Sequence, residues 1–186
     1  ISSGNCTGGN WCTSSFSASN PSCSYTIPTP TADGLYDAWV FVVDQFNLEA
    51  SGTKQGSESD FTVNNVAPVV SSVTLNNGNA ILLNENTTTQ IQLSATVTDV
   101  NGCGSEITSV LGYVYRSGIT YTGCDTLAEA NQNYCYPEVN CTEDSGTCTG
   151  STDSSADYTC NIALNYYADP TDVDTEYPLQ NWLASV

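Results

Sequence analysis

The nine cysteines are the residues of this chain with the clearest chemical potential. They lie among Ser, Thr and Asn, at Cys6, Cys12, Cys23, Cys103, Cys124, Cys135, Cys141, Cys148 and Cys160. Structural zinc sites use closely paired cysteines, often with histidine. The closest cysteines here are separated by five residues, and the chain contains no histidine. Disulfides are therefore favoured over zinc, and they indicate an oxidising, extracellular location.

The missing residue types also restrict catalysis. Without histidine, imidazole general bases and Ser-His or Cys-His nucleophiles are excluded. The sequence contains no nucleophile elbow, phosphate-binding loop or dinucleotide fingerprint. Adjacent carboxylates such as Glu143 and Asp144 could serve hydrolysis, but without a recognisable cleft motif a solvated loop is the better interpretation. We therefore expect that the chain is not an enzyme.

The charge of the chain is strongly one-sided. Only Lys54 and Arg116 are basic, against 20 acidic residues, so the net charge is -18. Nucleic-acid binding and attraction to anionic lipids both need cationic side chains. No apolar run approaches the roughly 20 residues that cross a bilayer. We expect no nucleic-acid partner and no membrane insertion of this segment.

Loops rich in Asp and Asn are candidate calcium sites, because Ca²⁺ binds carboxylate, amide and carbonyl oxygens. The candidate ligands form two sets. The first set lies near the predicted junction between modules and consists of Asp33, Asn65, Asp99 and Asn101. The second set lies in a later loop and consists of Asp169, Asp172 and Asp174, with Glu176. No EF-hand pattern is present. The alternative is that these residues only form solvated turns, for which Asp and Asn are well suited.

Carbohydrate could be attached to the chain or bound by it. The acceptor pattern Asn-x-Ser/Thr occurs at Asn5, Asn86 and Asn140. The many tyrosines could form a surface on which sugars stack. Aromatic residues in strands more often belong to the core or to cross-strand pairs.

An internal repeat organises the sequence. Cys6-x5-Cys12-x10-Cys23 resembles Cys141-x6-Cys148-x11-Cys160, and each set precedes a tryptophan in an apolar segment, Trp39 and Trp182. Such self-similarity is typical of tandem architecture. It predicts that 1–66 is the C-terminal part of one module and 67–186 is most of a second module that lacks its last strand.

The repeat and the local spacings suggest a disulfide scheme, although the sequence leaves the connectivity open. The predicted bridges are Cys124–Cys135, Cys141–Cys148, Cys103–Cys160 and, by the repeat, Cys6–Cys12. Cys23 is left over, because the counterpart of Cys103 would lie in the part that the first module lacks.

Strict alternation predicts strands in several segments. Ile91, Leu93, Ala95 and Val97 alternate with polar residues, and 158–166 shows the same pattern. Short strands of this kind, separated by Asn-Gly and Ser-Gly turns, predict an antiparallel β-sandwich.

A family resemblance sharpens this expectation. The segment FTVNNVAPVV, continuing to TVTDVNG, resembles the junction between tandem immunoglobulin-like or PKD-like domains of large prokaryotic surface proteins. The later CYPEVNC, YADPTD and NWLASV are similar to cysteine-rich versions of those repeats. The resemblance implies an all-β fold of immunoglobulin-like β-sandwich modules in tandem, and an adhesive, stalk-like or filament-forming role at the cell surface.

The predicted absence of a last strand from the second module leads to the functional hypothesis. A second module without its closing strand can be completed by further chain or by a neighbouring copy through strand addition. We therefore expect an extracellular structural module that assembles head to tail, with 1–66 of one copy against 67–186 of the next. The alternative is an adhesin-type module that binds a glycan or a protein.

Overall fold

The structure is a computed structural model that describes residues 26–38, 59–119, 124, 131–150, 152–171 and 181–186. The strands in this part of the chain are β1 (Gly34–Ala38), β2 (Ser59–Val63), β3 (Val69–Leu75), β4 (Thr88–Thr98), β5 (Leu111–Arg116), β6 (Cys135–Asn140), β7 (Thr142–Glu143), β8 (Ser155–Asn165) and β9 (Trp182–Ser185). Helical structure here consists of a 3-10 turn at Asn76–Gly78, α1 (Cys103–Glu106) and the 3-10 conformation of Cys124. The predicted all-β class is confirmed.

The strands form three antiparallel sheets. Strands β1 and β2 pair alone, with Gly34 opposite Val63 and Ala38 opposite Ser59. A four-stranded sheet has the order β3-β4-β8-β7, and a three-stranded sheet has the order β6-β5-β9. The change from the small sheet to the larger ones falls in the segment 64–68 between β2 and β3. The predicted division into two modules at residue 66 stays a prediction.

Strands β4 and β8 form the centre of the four-stranded sheet, and each is eleven residues long. They pair along their full length, from Thr88 opposite Asn165 to Thr98 opposite Ser155. The predicted apolar face of β4 is buried at Ile91, Leu93, Ala95 and Val97. The buried face of β8 is supplied by Ala156, Tyr158, Cys160, Ile162 and Leu164.

The two larger sheets pack face to face and form a sandwich. One core cluster joins Ile91, Ile162 and Leu164 of the first sheet to Val114 and Tyr136 of the second. A second cluster, nearer the end at which β4 finishes, contains Val97, Cys103, Val110, Ala156 and Tyr158. Burial of these side chains is the main stabilising contribution to the sandwich.

Three disulfides connect the sandwich, and two of them correct the predicted scheme. Cys124 bonds to Cys135, as expected. The predicted Cys141–Cys148 and Cys103–Cys160 pairs are wrong, since the bonds found are Cys103–Cys148 and Cys141–Cys160. The predicted Cys6–Cys12 pair and the leftover Cys23 lie outside the described residues.

The correction has a structural cause. Strand β7 pairs with β8 so that Thr142 stands opposite Thr159. This register carries Cys141 to Cys160 and links the end of β6 to the other sheet. Cys103, whose amide donates to the carbonyl of Asp153 at 2.9 Å, is thereby held beside the turn that contains Cys148. Strand pairing, rather than separation along the chain, selects these partners.

Candidate functional site

A tight loop follows β4 and positions Asn101. The Asp99 carboxylate oxygen Oδ1 accepts a hydrogen bond from the Asn101 amide at 2.7 Å, and the Gly102 amide donates to the Asp99 carbonyl at 3.2 Å. Gly102 has φ 125°, a conformation that favours glycine. The pattern Asp-x-Asn-Gly is therefore the local reason that the backbone of Asn101 is held in place.

Asn101 fastens the sandwich to the segment that precedes it. Its Oδ1 accepts a hydrogen bond from the Val66 amide at 2.8 Å. Its Nδ2 donates to the Thr31 carbonyl at 3.1 Å and to the Asn64 carbonyl at 3.2 Å. The side chain is only 5% exposed, so both amide protons and the oxygen are used in a largely dehydrated position.

A second side chain reinforces the same contact. Asn65 Nδ2 donates to Glu106 Oε2 on α1 at 3.2 Å. We call this set the joint, defined by Thr31, Asn64–Val66, Asp99, Asn101 and Glu106. It contacts the loop before β1, the segment after β2 and the end of the sandwich. Rigid-body separation of the β1–β2 sheet and segment 64–66 from the sandwich would break the bonds that Asn101 and Glu106 make to that side.

Asp99 is an unusual member of the joint because one of its carboxylate oxygens lacks a hydrogen-bond partner among the described residues. The residue is 2% exposed, and its backbone amide donates to the Ser154 carbonyl at 2.8 Å. Its Oδ2 is buried and has no hydrogen-bond partner within the described part of the chain. Buried carboxylate oxygens normally have a partner, which can be a donor group, a water molecule or an ion.

The structure brings together most of the first predicted calcium set. Asn65, Asp99 and Asn101 all belong to the joint, whereas Asp33 is exposed and lies two residues beyond Thr31. Among residues 26–38, 59–119, 124, 131–150, 152–171 and 181–186, no three Cys, Asp or Glu side chains form a cluster that could hold a metal ion. Any cation at the joint would therefore rely on carbonyl and amide oxygens as well as carboxylates.

The second predicted set has a different environment. Asp169 Oδ2 accepts from Arg116 Nη1 at 2.7 Å, and the Asp169 carbonyl accepts from Trp182 Nε1 at 3.1 Å. Arg116 is 5% exposed and also lies 6.0 Å from the centroid of the Tyr134 ring. The carboxylate of Asp169 is thus used to neutralise a buried guanidinium. Asp172, Asp174 and Glu176 lie outside the described residues.

The surface features that could involve carbohydrate are separate from the joint. Asn86 is exposed in a turn with φ 59°, and Asn140 is exposed at the end of β6, whereas Asn5 lies outside the described residues. Tyr166 and Tyr167 are exposed and pack edge to face, with their ring centroids 5.3 Å apart. An open cavity of about 740 Å³ is lined by residues that include Leu75, Ile81 and Trp182.

Sequence reasoning found the side chains of the joint better than it found their partners. Asn65, Asp99 and Asn101 were identified from residue type. Thr31, Asn64 and Val66 take part through backbone groups, which every residue possesses, so their types carry no signal. From the sequence, Arg116 was counted only toward the net charge. A single arginine in so acidic a chain could have suggested a buried ion pair.

No helix within the described residues is long and apolar enough to cross a membrane. The three disulfides indicate a secreted or extracellular protein. No family model, curated protein or solved structure matches this chain.

Proposed function

We propose that this chain is an extracellular structural module of a surface stalk or filament, in which successive units join head to tail. The observation that carries the proposal is the joint, where Asn101 binds the Thr31 and Asn64 carbonyls and the Val66 amide. A connection that transmits force or fixes the angle between units needs such contacts on both sides of the linker. A flexible tether would need none.

The strand order supports an immunoglobulin-like interpretation of the sandwich. The order β3-β4-β8-β7 corresponds to the A-B-E-D sheet of immunoglobulin-like domains, and β6-β5-β9 corresponds to their C′-C-F strands. In that fold a closing strand G pairs with the outer edge of F. Within the described residues, β9 pairs only with β5, so its other edge is the position at which a G strand would add.

The β1–β2 sheet supplies a template for the missing pairing. The repeat aligns the tryptophan that follows β1, Trp39, with Trp182 of β9. Strand β2 would then be the G strand of the preceding unit, and it leads directly into the joint. A strand of the β2 type, donated by a neighbouring copy or by further chain, would complete β9 by β-augmentation. Repetition of this contact without closure produces a filament.

Peptide binding to the whole chain tests the strand addition. A synthetic peptide of sequence SESDFTVNNV, identical to residues 57–66, should bind and slow amide hydrogen exchange in Trp182–Ser185. The same peptide carrying Phe61→Asp should bind more weakly, because the alternate side chains of an added strand fill the apolar positions. Unchanged exchange in β9 at saturating peptide would refute the proposed mode of assembly.

The joint itself is tested by small-angle scattering on two variants. Asn101→Ala removes three hydrogen bonds across the linker. It should therefore broaden the distribution of interatomic distances obtained from the scattering curve. Asn161→Ala removes an exposed side chain on β8 and is the matched control. Identical scattering from wild type and Asn101→Ala would show that the joint does not fix the angle between units.

The alternative, an adhesin-type module, is favoured by one observation. The Tyr166–Tyr167 pair is exposed and is held by the Tyr167 hydroxyl, which donates to Gln132 Oε1 at 3.0 Å. Exposed aromatic rings can stack on sugars or anchor a protein partner. Loss of binding to a glycan panel in a Tyr166→Ala/Tyr167→Ala variant would favour this function over the structural one.

A further inference from the structure

We infer that the joint binds a divalent cation, with Ca²⁺ as the ion that its ligands suit, at the carboxylate of Asp99. The inference starts from the Asp99 Oδ2 atom, which is buried and has no hydrogen-bond partner within the described residues. Its sister atom Oδ1 is already committed to the Asn101 amide at 2.7 Å. A buried carboxylate that lacks compensation is strongly destabilising. A cation at Oδ2 removes that cost.

The joint also contains other oxygen atoms of the kind that calcium takes as ligands. The Thr31 and Asn64 carbonyl oxygens both point at the Asn101 side chain, at 3.1 and 3.2 Å from its Nδ2. Each carbonyl keeps a second lone pair. Glu106 contributes a further carboxylate, which is tied to the joint through Asn65. These are hard ligands and include no sulfur or imidazole, which favours calcium over zinc or copper.

The small number of carboxylates at the joint limits how tightly it can bind calcium. The absence of any cluster of three acidic or thiol side chains in the described segments limits the charge that these residues bring to the ion. Extracellular calcium modules with sparse charge bind at about 10⁻⁴–10⁻³ M. Such an affinity suits a site that is filled outside the cell. Magnesium is a poorer fit because it requires near-ideal octahedral geometry and retains its waters.

The position of the site gives the ion a mechanical consequence. A cation held by Asp99 on the sandwich and by carbonyls of Thr31 and Asn64 would bridge the two sides of the linker. It would therefore stiffen the same contact that the proposed function uses. The binding step itself takes place within one chain and does not depend on assembly, so it can fail or succeed independently of filament formation.

Thermal unfolding of the full chain, with and without metal, tests the inference. After treatment with EDTA, addition of millimolar CaCl₂ should raise the unfolding midpoint of the wild type by a few degrees, because a ligand that binds only the folded state stabilises it. MgCl₂ should produce a smaller rise. Asp99→Asn should show no calcium-dependent rise, and Glu85→Gln, which removes an exposed acid in a distant turn, should behave like the wild type.

A second variant keeps the test decisive if Asp99→Asn folds poorly. Asn101→Asp places another carboxylate opposite the Thr31 and Asn64 carbonyls. Without metal it should unfold at a lower temperature than the wild type, and calcium should raise its midpoint by more than it raises that of the wild type. Calcium titration by calorimetry should show one site in the wild type and none in Asp99→Asn.

Two results would overturn the inference. Calcium could leave the wild-type midpoint unchanged, which would mean that an ordered water alone satisfies Asp99 Oδ2. Calcium could also stabilise Asp99→Asn as much as the wild type, which would place the ion elsewhere on the acidic surface. Neither result bears on strand addition, which the peptide experiment measures separately.

Discussion

Gly112 on β5 lies directly against Cys160 on β8, so closely that a β-carbon at position 112 would stand 2.7 Å from the Cys160 Sγ atom. It would also stand 2.8 Å from Leu93 Cδ2 and 3.2 Å from Cys141 Sγ. The close approach of the two sheets at this point leaves room for the Cys141–Cys160 bridge but not for another side chain. Glycine is therefore required here for space rather than for backbone conformation.

Gly112→Ala should destabilise the sandwich by about 1–3 kcal/mol, the usual cost of overpacking a well-packed core. Urea denaturation under non-reducing conditions measures the change. Gly150→Ala is the matched control, because an added β-carbon at position 150 meets nothing within 4 Å. Equal stability of the two variants would mean that the sheets do not approach as closely as described.

The three disulfides should differ in their contributions to stability. Removal of Cys103–Cys148, whose cysteines are 45 residues apart, should cost about 4 kcal/mol, because it closes the longest loop of these three bridges. Removal of Cys124–Cys135 or Cys141–Cys160, with separations of 11 and 19 residues, should cost about 3 kcal/mol. Paired Cys→Ala variants and urea denaturation provide the values.

Non-reducing peptide mapping checks the connectivity directly. A fragment that joins the peptide containing Cys141 to the one containing Cys160 is expected. A fragment joining Cys103 to Cys160 would contradict the described pairing of β7 with β8.

The Arg116–Asp169 ion pair should be strongly coupled. Asp169→Asn removes a carboxylate bonded to a guanidinium that is 5% exposed, and should cost about 3 kcal/mol or less, since the Asp169 side chain is 33% exposed. The double variant Arg116→Met/Asp169→Asn should lose less than the sum of the two single variants. Additive losses in this double-mutant cycle would show that the two groups do not interact.

Tyr136 should make the fold sensitive to alkaline pH. Burial raises the pKa of its phenol above the ordinary value of 10.0, while the hydrogen bond from the Asn165 amide, at 2.9 Å, acts in the opposite direction. Because the folded-state pKa is higher than the unfolded one, the stabilisation is complete below the unfolded pKa. It is lost as the pH rises through the folded-state pKa.

Tyr136→Phe should therefore flatten the fall in stability above pH 10.0, which urea denaturation at several pH values can follow. The decline should be reduced and not abolished, because burial also raises the pKa of Tyr158. Tyr166→Phe removes an exposed hydroxyl and should leave the alkaline decline unchanged. An identical decline in wild type and Tyr136→Phe would contradict the assignment.

The sequence alone determined the strands with a strong period. The two-residue period of Ile91, Leu93, Ala95 and Val97 predicts a half-buried strand, and the structure buries those four side chains. A side-chain pattern of this kind is local, because alternate residues of an extended strand point to opposite faces wherever the strand lies. Separation along the chain was a weaker guide, because it predicted the confirmed pair Cys124–Cys135 and also the pair Cys141–Cys148, which is wrong.

Only the tertiary structure decided the contacts between distant segments. Cys141 pairs with Cys160 and not with Cys148 because β7 lies beside β8 in a register that the sequence does not display. Asn101 could be named as a site residue, but its partners at Thr31, Asn64 and Val66 are backbone groups, identical in every residue type. Register and backbone hydrogen bonds are properties of the folded chain, whereas alternation and residue chemistry are already present in the unfolded one.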